Sequence, residues 1–310
     1  MLSTAKEFSL QIKEKALELG FAACGIAEAK CLENEREPLQ KWLSKGMNGS
    51  MGYMANHFEK RLDPQKLVEG AKSVISVLLN YYPSQKQADQ AAPVISKYAY
   101  GKDYHLTVKE KLNNLLIYIQ AQISPCVGRA FVDSAPVLER QWAMAAGLGW
   151  TGKNTLLITQ KFGSYVFIGE LITNLDLSYD APFGKDHCGS CTRCIDACPT
   201  HAIVAPHRID ARKCISYHTI ENKNEMPIEI QPNLHNRIFG CDICQDVCPW
   251  NNKLIPNQSI DIKPIDELLN MNKNDWAQLG KAGFSRKFKG SSFERTGYDR
   301  IMRNISYLKD

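Results

Sequence analysis

One cysteine-rich stretch constrains this chain more than any other. Residues 188–199 place four cysteines in the pattern C-x₂-C-x₂-C-x₃-C-P. Three thiolates at this close spacing can hold one [4Fe–4S] cluster from a single loop, and the fourth cysteine of such a run ligates a second cluster. The stretch therefore predicts that a second cluster is completed elsewhere in the chain.

A second cysteine run supplies most of the missing ligands. Residues 241–249 read C-x₂-C-x₃-C-P, and a further cysteine lies between the two runs. If the last cysteine of each run crosses to the other cluster, two complete sets of four result. The predicted ligands are Cys188, Cys191, Cys194 and Cys248 for the first cluster, and Cys198, Cys214, Cys241 and Cys244 for the second.

Zinc binding and disulfide bonds are the other common uses of closely spaced cysteines. Zinc ribbons stop at four ligands, so eight cysteines, seven of them in two Cys-Pro-terminated runs, fit zinc poorly. Disulfides are typical of exported proteins, and the N-terminal residues lack the apolar core of a signal peptide. The other three cysteines, Cys24, Cys31 and Cys126, are predicted to be buried or incidental thiols.

Length and composition indicate a globular protein with a sizeable core. A chain of 310 residues is long enough for two domains, and its 44% hydrophobic and 23% charged content is ordinary for such proteins. No stretch approaches the roughly 20 apolar residues that span a bilayer. We therefore expect a cytoplasmic protein without a membrane partner, and a monomer, because no surplus apolar stripe is evident.

Basic residues gather in two parts of the chain, although the net charge is only +5. Such groups can contact the phosphates of a nucleic acid or can form a solvated surface, and charge alone leaves both interpretations open. The two groups are His207, Arg208, Arg212 and Lys213, and Lys281, Arg286, Lys287, Lys289, Arg295, Arg300 and Arg303.

Hydrophobic patterns predict a mixed fold of helices and strands. Residues 3–19 have helical spacing with Ser3 or Thr4 as the cap, and residues 72–82 form an apolar run typical of a buried strand. Further strands alternate with helices up to about residue 178, which favours an α/β or α+β first domain.

Three segments follow from these patterns. Residues 1–178 are predicted to form the α/β domain, and residues 179–258 a bacterial-ferredoxin-like domain with short helices after each cysteine run. Residues 259–310 are predicted to be helical, with Trp276 and Phe284 as packing anchors. The residues alone indicate an iron–sulfur oxidoreductase with an unidentified electron acceptor in the first domain. No dinucleotide fingerprint in the right context and no Walker A loop is present to identify that acceptor.

Several motifs together resemble the epoxyqueuosine reductase family. The match covers most of residues 5–305 and is specific as a combination, whereas the cysteine runs alone occur in many ferredoxin-like proteins. The matching stretches are residues 97–105, 131–140, 147–154, 188–203, 210–221 and 237–251.

The resemblance implies a cobalamin-dependent enzyme with two [4Fe–4S] clusters. Members of this family reduce the epoxide of epoxyqueuosine to the cyclopentene of queuosine at the wobble base of tRNA. An external low-potential donor would recharge the cobalt through the clusters, one electron at a time. The resemblance also implies that residues 259–310 begin a helical-repeat extension that many members carry.

The family's proton donor corresponds to Asp133, at the end of a predicted strand. To donate a proton near neutral pH, its pKa would have to be raised by burial in an apolar, partly dry site. The alternative is that Asp133 only caps the helix that follows.

The resemblance also implies that five residues lie in a pocket near the corrin or the substrate. For each of them alone, a structural role is as plausible. The cobalt-ligand motif D-x-H-x-x-G begins at Asp103 and His105, but Val108 stands where glycine is required. Cobalamin would therefore bind with its lower base detached and without a histidine on cobalt. The five pocket residues are His57, Tyr98, Arg140, Lys153 and Asn154.

Two other functions fit part of the sequence. A reductive dehalogenase-like cobalamin enzyme would share the cofactors, but such proteins usually carry a twin-arginine export signal that is not visible here. A plain ferredoxin-type electron carrier would need only the cysteine domain and would leave about 180 preceding residues unexplained.

Overall fold

A computed structural model of the protein describes residues 4–308. The strands are β1 (Ala23–Glu28), β2 (Ser73–Asn80), β3 (Val94–Ile95), β4 (Gly128–Phe131), β5 (Trp150–Thr151), β6 (Leu157–Ile158), β7 (Val166–Thr173), β8 (Ile203–Ala205), β9 (Arg208–Ile209) and β10 (Arg237–Phe239). The α-helices are α1 (Thr4–Glu18), α2 (Glu33–Ser44), α3 (Phe58–Leu62), α4 (Tyr104–Tyr118), α5 (Glu139–Ala145), α6 (Arg193–Asp196), α7 (Ile215–Ile220), α8 (Ile243–Asp246), α9 (Asp266–Leu269), α10 (Lys273–Ala277), α11 (Lys281–Lys287), α12 (Phe293–Thr296) and α13 (Tyr298–Ser306).

The central sheet has four strands in the order β1-β2-β7-β4, and every neighbouring pair is antiparallel. The prediction of a mixed α/β fold is thus confirmed, and the sheet is of the α+β type. Alternating strand and helix patterns do not fix strand direction, because a helix can return the chain to either end of a sheet.

Helices cover both faces of this sheet. On β2, Ile75, Val77 and Leu79 pack on one side in a core shared with α1 and α4. Val74 and Leu78 point to the opposite face, where α5 packs. All but the last residue of β2 are buried, so the predicted buried strand is confirmed.

The predicted first helix is also present, as α1 at Thr4–Glu18. Its residues Ile12 and Ala16 are fully buried against the sheet. The alternative cap, Ser3, lies outside the described residues. No helix in the described part of the chain is both long and apolar enough to cross a bilayer.

The helix α5 approaches the sheet so closely that one strand position requires glycine. A Cβ atom at Gly25 in β1 would collide with the backbone carbonyl oxygen of Ala146, at the end of α5. This contact fixes the end of α5 against β1, and the helix also packs on β2 and β7.

We expect Gly25→Ala to lower the thermal midpoint of the protein by several degrees. Two rigid backbone segments would have to separate, and overpacking of this kind typically costs about 1–3 kcal/mol. Differential scanning fluorimetry under anaerobic conditions measures the shift. Gly184→Ala is the matched control, since nothing lies within 4 Å of a Cβ atom at that position. Equal midpoints for the two variants would contradict the expectation.

The cysteine-rich segment contains the short helices that the sequence predicted. Helix α6 includes Cys194 and helix α8 includes Cys244, and the two helices pack together. Between the runs lie the antiparallel hairpin β8–β9 and helix α7, which follows Cys214 directly.

The C-terminal helices share a core with segments from earlier in the chain. Trp276 is fully buried and Phe284 is 4% exposed, so both predicted packing anchors are confirmed. They belong to one apolar cluster with Ile95 of β3 and Phe239 of β10. The helical segment therefore braces the region that leads into the second cysteine run.

Direct hydrogen bonds join the cysteine-rich segment to the sheet domain. The indole N–H of Trp42 donates to the carbonyl oxygen of Ile209 at 2.7 Å. The carboxylate of Asp242 accepts from the Ser96 hydroxyl at 2.9 Å and from the backbone N–H of Lys97 at 2.8 Å. These bonds fix the second cysteine run relative to the loop that precedes α4.

Candidate active site and cluster-binding loops

The four cysteines of the predicted first set line one cavity. Its volume is about 250 Å³, and three of the cysteines come from the first run while Cys248 comes from the second. A cavity walled by four thiols is suited to an iron–sulfur cubane. Its cysteine lining is Cys188, Cys191, Cys194 and Cys248.

The cysteines of the predicted second set also lie close to one another. The thiol of Cys244 interacts electrostatically with those of Cys241 and Cys214, and Cys214 interacts in turn with Cys198. Cys244 also faces Cys194 of the first set, so the two groups of thiols adjoin.

The chemistry of these thiols fits metal ligands. Burial is the largest influence on Cys241 and raises the pKa of its thiol to about 12, so iron binding has to displace the proton. The backbone N–H of Ala202 donates to the Cys198 sulfur at 3.3 Å, an interaction that favours a thiolate. No three His, Cys, Asp or Glu side chains in the described chain converge as ligands of a single metal ion. Wider ligand spacing is what a cubane requires.

Lys153 and Asn154 contact both cysteine loops. The ammonium group of Lys153 donates to the carbonyl oxygens of Gly189 at 2.6 Å and Cys191 at 2.9 Å. The side-chain amide of Asn154, which is 3% exposed, donates to the carbonyl oxygen of Cys244 at 3.5 Å. The family resemblance implies that these two residues lie near the corrin or the substrate. In this structure they attach the cysteine loops to the sheet domain.

Asp133 lies in the loop after β4 and gathers three neighbours. Its carboxylate accepts from the Tyr104 hydroxyl at 2.9 Å and lies 3.1 Å from Nε2 of His105. Its backbone N–H donates to the carboxylate of Glu139 at the start of α5. The φ angle of Asp133 is 47°, a left-handed conformation that costs energy in most residues other than glycine. The loop thus presents this carboxylate at the edge of the sheet.

The expectation of a raised Asp133 pKa is wrong for this structure. Burial raises the pKa of the carboxyl, but hydrogen bonds from His105 and Tyr104 and the charge of Arg295 outweigh it and hold the pKa below its ordinary value. Solvent reaches 54% of the Asp133 side chain. Protein atoms nevertheless surround the carboxyl group closely, and burial is the largest single influence on its pKa. Asp133 is therefore ionised at neutral pH, and the adjacent proton belongs to a neighbour.

That neighbour is His105, whose two ring nitrogens are both engaged. Nδ1 lies 2.6 Å from the carboxylate of Asp103, which also caps α4, and Nε2 faces Asp133. Burial lowers the pKa of His105, but the two carboxylates outweigh burial and raise it to about 9. The ring is a protonated bridge between two carboxylates and has no nitrogen free for a metal.

Two other predicted pocket residues adjoin this group. Tyr98 packs edge-on against Tyr104, with ring centroids 6.2 Å apart, and interacts electrostatically with Asp133. Arg140 has an exposed side chain, donates to the carbonyl oxygen of Thr155 and interacts with Asp133. His57 has an exposed side chain at the start of α3, with a left-handed backbone.

Two carboxyl groups behind Asp133 were not selected from the sequence. Burial and the charge of Asp133 raise the pKa of Glu139 to about 8. Glu170 lies in the middle of β7 with an exposed fraction of 0%, and burial raises its pKa well above the ordinary value. The sequence signal that could have identified Glu170 is a charged residue inside the apolar strand at residues 166–173.

Part of the second basic group is used to hold the fold together. Arg295 pairs with Glu221 at 2.5 Å. The guanidinium of Arg300 donates to the carbonyl oxygen of Ile220 at 3.0 Å, and that of Arg303 donates to His218 at 2.9 Å. These arginines attach α12 and α13 to α7. Only part of the positive charge of the second basic group is therefore available to contact phosphates.

Family models match two parts of the chain. The model for the 4Fe-4S double cluster binding domain matches residues 187–251, which contain all eight predicted ligands. The model described as epoxyqueuosine reductase QueG, DUF1730, matches residues 61–134 and so ends just beyond Asp133.

Epoxyqueuosine reductases from several bacteria align with nearly the whole chain. The protein from Cellulophaga algicola is 53% identical over 99% of this chain and 100% of its own. That from Cyclobacterium marinum is 50% identical over 100% of this chain and 99% of its own. That from Pseudomonas aeruginosa is 45% identical over 95% of this chain and 83% of its own.

Solved structures agree with these sequence relationships. An epoxyqueuosine reductase bound to an epoxyqueuosine-modified tRNA-Tyr stem loop has a TM-score of 0.90 and 31% identity, over 97% of this chain and 80% of that one. A Bacillus subtilis structure whose catalytic aspartate loop is swung out of the active site has a TM-score of 0.89 and 29% identity, over the same shares. The chain belongs to the epoxyqueuosine reductase family.

Proposed function

We propose that this protein reduces epoxyqueuosine to queuosine in tRNA and that Asp133 acts at the epoxide. The observation that carries the proposal is the joining, in one chain, of a double-cluster segment with a loop that presents an ionised aspartate beside a protonated histidine. The relatives at 50–53% identity that cover nearly the whole chain support the same substrate.

The cysteine sets would hold the two clusters. Cys188, Cys191, Cys194 and Cys248 wall a cavity of about 250 Å³, and the adjoining set begins at Cys244. Adjacent clusters can pass electrons singly from an external low-potential donor toward the first domain. The backbone N–H bonds to sulfur and the charge of Lys153 would stabilise the thiolate ligands.

The side chains around Asp133 fit cobalamin in its base-off form. Arg140, Tyr53 and Tyr98 all interact electrostatically with Asp133, and the first two are exposed, so a ring system with amide substituents would find both stacking surfaces and donors there. Both nitrogens of His105 are engaged, which agrees with a cobalt that has no histidine ligand. When bound, this cofactor supplies low-potential electrons for opening the epoxide.

The protein's own residues would manage the protons. His105 shares its proton with Asp133 across 3.1 Å, and Tyr104 orients the same carboxylate oxygen. As substrate and cofactor displace water, the ionised form of Asp133 loses solvation and its tendency to accept that proton increases. Asp133 would then pass the proton to the departing epoxide oxygen.

The substrate base would be read from an anticodon loop. Proteins read such loops by stacking unpaired bases on aromatic rings and by binding phosphates with Lys and Arg. Tyr53 is 48% exposed and interacts electrostatically with Asp133, so it is a candidate stacking surface. Arg208 and Lys213 on the cysteine-rich segment are candidate phosphate contacts, because neither has its charge used in an ion pair within the described residues.

The decisive experiment is anaerobic turnover of a defined RNA. Protein with both clusters loaded is incubated with cobalamin, a low-potential reductant and an epoxyqueuosine-modified stem loop, and the nucleosides are separated by mass. We expect queuosine to form only when cobalamin is present, and the same stem loop carrying unmodified guanosine to remain unchanged. If fully loaded protein leaves epoxyqueuosine intact, the proposed function is wrong.

A further inference from the structure

The central strand β7 carries an acid where a core residue is expected. Glu170 is fully buried, and neither of its carboxyl oxygens has a hydrogen-bond partner among the described residues. Its cross-strand neighbours are Ser76 on β2, whose buried hydroxyl is also unpartnered, and Phe131 on β4. Ile168 and Ile172 flank it on the same face of the strand. An ionised carboxylate in these surroundings would lack compensation, so Glu170 is a neutral acid.

A second acid links this position to the active-site loop. Glu139 begins α5, the helix that packs on the same face of the sheet, and it is only partly buried. A carboxyl oxygen of Glu139 accepts a hydrogen bond from the backbone N–H of Asp133. Phe131, which pairs with Glu170, lies two residues before Asp133. The three carboxyl groups therefore extend from the middle of the sheet to its edge.

We propose that Glu139 stores a proton beside Asp133 and that Glu170, which is fully buried, holds a second proton behind it. The inference rests on the proposed function. Reduction of an epoxide to an alkene consumes two electrons and two protons and releases one water. The pair formed by His105 and Asp133 supplies one proton to the departing oxygen. Glu139 supplies the other to the same oxygen by way of Asp133, so that the oxygen leaves as water. Glu139 becomes a carboxylate and takes a proton back from solvent before the next turnover.

The charges around these acids favour storage of a proton at neutral pH. Glu139 is faced by Asp133 from the loop after β4, by His105 from α4 and by Arg140 from its own helix. Burial and the negative charge of Asp133 outweigh the two cations, and the pKa of Glu139 is raised to about 8. Glu170 is faced by Glu139 and Asp133, and a negative charge on either one raises its pKa further.

The test compares three isosteric variants of the cluster-loaded protein. Glu139→Gln removes the stored proton but keeps the oxygen that accepts from Asp133. Glu170→Gln removes the proton of the fully buried acid, whose oxygens have no hydrogen-bond partner among the described residues. Glu35→Gln is the matched control, because Glu35 also has a pKa raised by burial but bonds to Gln141 on α5. Iron content and cobalamin binding are measured first, so that a change in turnover is not a loss of cofactor.

We expect Glu139→Gln to lower kcat about 10- to 100-fold with little change in KM, and to increase the solvent deuterium isotope effect. The wild-type protein should lose activity as the pH rises through about 8, whereas in Glu139→Gln the loss should begin only near pH 9, where His105 gives up its proton. Glu170→Gln should give a smaller loss of the same kind. Wild-type kcat, pH profile and isotope effect in Glu139→Gln would overturn the proposal.

Infrared spectroscopy tests the proton store without turnover. The cluster-loaded protein at neutral pH should show the carbonyl stretch of protonated carboxylic acids, and this band should lose intensity in Glu139→Gln and in Glu170→Gln but not in Glu35→Gln. Wild-type protein without the band would overturn the proposal even if it reduces epoxyqueuosine. A band that behaves as expected, in protein that forms no queuosine, would reject the proposed function and leave only the buried acids established.

Discussion

Replacing Asp133 by asparagine is expected to lower kcat about 100- to 10,000-fold, the usual contribution of a general acid. Asparagine keeps the shape of the side chain and tolerates the left-handed backbone, with its φ of 47°, better than most residues. The backbone N–H that bonds to Glu139 is unchanged. The loss should therefore come from a side chain that can no longer accept the proton of His105 and pass it on, and not from a displaced loop.

The measurement is single-turnover conversion of the modified stem loop, with iron content and cobalamin spectrum recorded on the same samples. Asp176→Asn is the matched control, because Asp176 is an aspartate with a 70% exposed side chain whose nearest cation, Lys72, lies at 3.8 Å. Both variants should retain wild-type iron and cobalamin. A wild-type rate in Asp133→Asn would remove this residue from the chemistry.

Pairs of cysteine variants should distinguish the crossed arrangement of ligands from a sequential one. Wild-type protein should contain about eight irons per chain, four in each cluster. Combining Cys198→Ala with Cys214→Ala removes two ligands of the same predicted set and should leave about four irons. Combining Cys198→Ala with Cys194→Ala touches both predicted sets and should leave almost none, because each cluster then lacks a ligand.

The sequential arrangement gives the opposite result for the second pair. If residues 188–198 held one cluster by themselves, the Cys194 and Cys198 variants would damage a single cluster and about four irons would remain. Iron is measured on anaerobically purified protein, with Cys126→Ala as the control at a cysteine outside both sets. Every double variant that lacks a cluster should also form no queuosine, because electron transfer to the first domain requires both.

The cysteine sets are the part of the site that sequence alone could predict. Ligand spacing in a cluster loop is local, since three thiolates must wrap one cubane within a few residues, and this requirement is visible as a pattern of letters. The fourth ligand is not local, yet the rule that it crosses to the other cluster assigned Cys248 to the first set. In the structure Cys248 lines the same cavity as Cys188, Cys191 and Cys194, and the ligand sets themselves stay a prediction.

The protonation of the acid site could not be predicted in the same way. Burial was expected to raise the pKa of Asp133, and burial is its largest single influence. The direction is nevertheless reversed by Tyr104 and His105, which lie 28 or more residues earlier in the chain and reach Asp133 only because α4 packs beside β4. Glu170 could not be predicted as part of the site, because a single acidic residue in an apolar strand does not by itself indicate a proton-binding group.

What the sequence determined by itself is therefore the chemistry that depends on short spacing: seven thiols in two runs with an eighth between them, an aspartate after a strand, and the helical and apolar periods of α1 and β2. The tertiary structure alone decided the antiparallel sheet, the use of Lys153 and Asn154 to hold the cluster loops, and the location of the protons at His105 and Glu139. The physical reason is that spacing fixes which atoms can meet within one loop. Strand direction, burial and charge depend instead on which distant segments pack together.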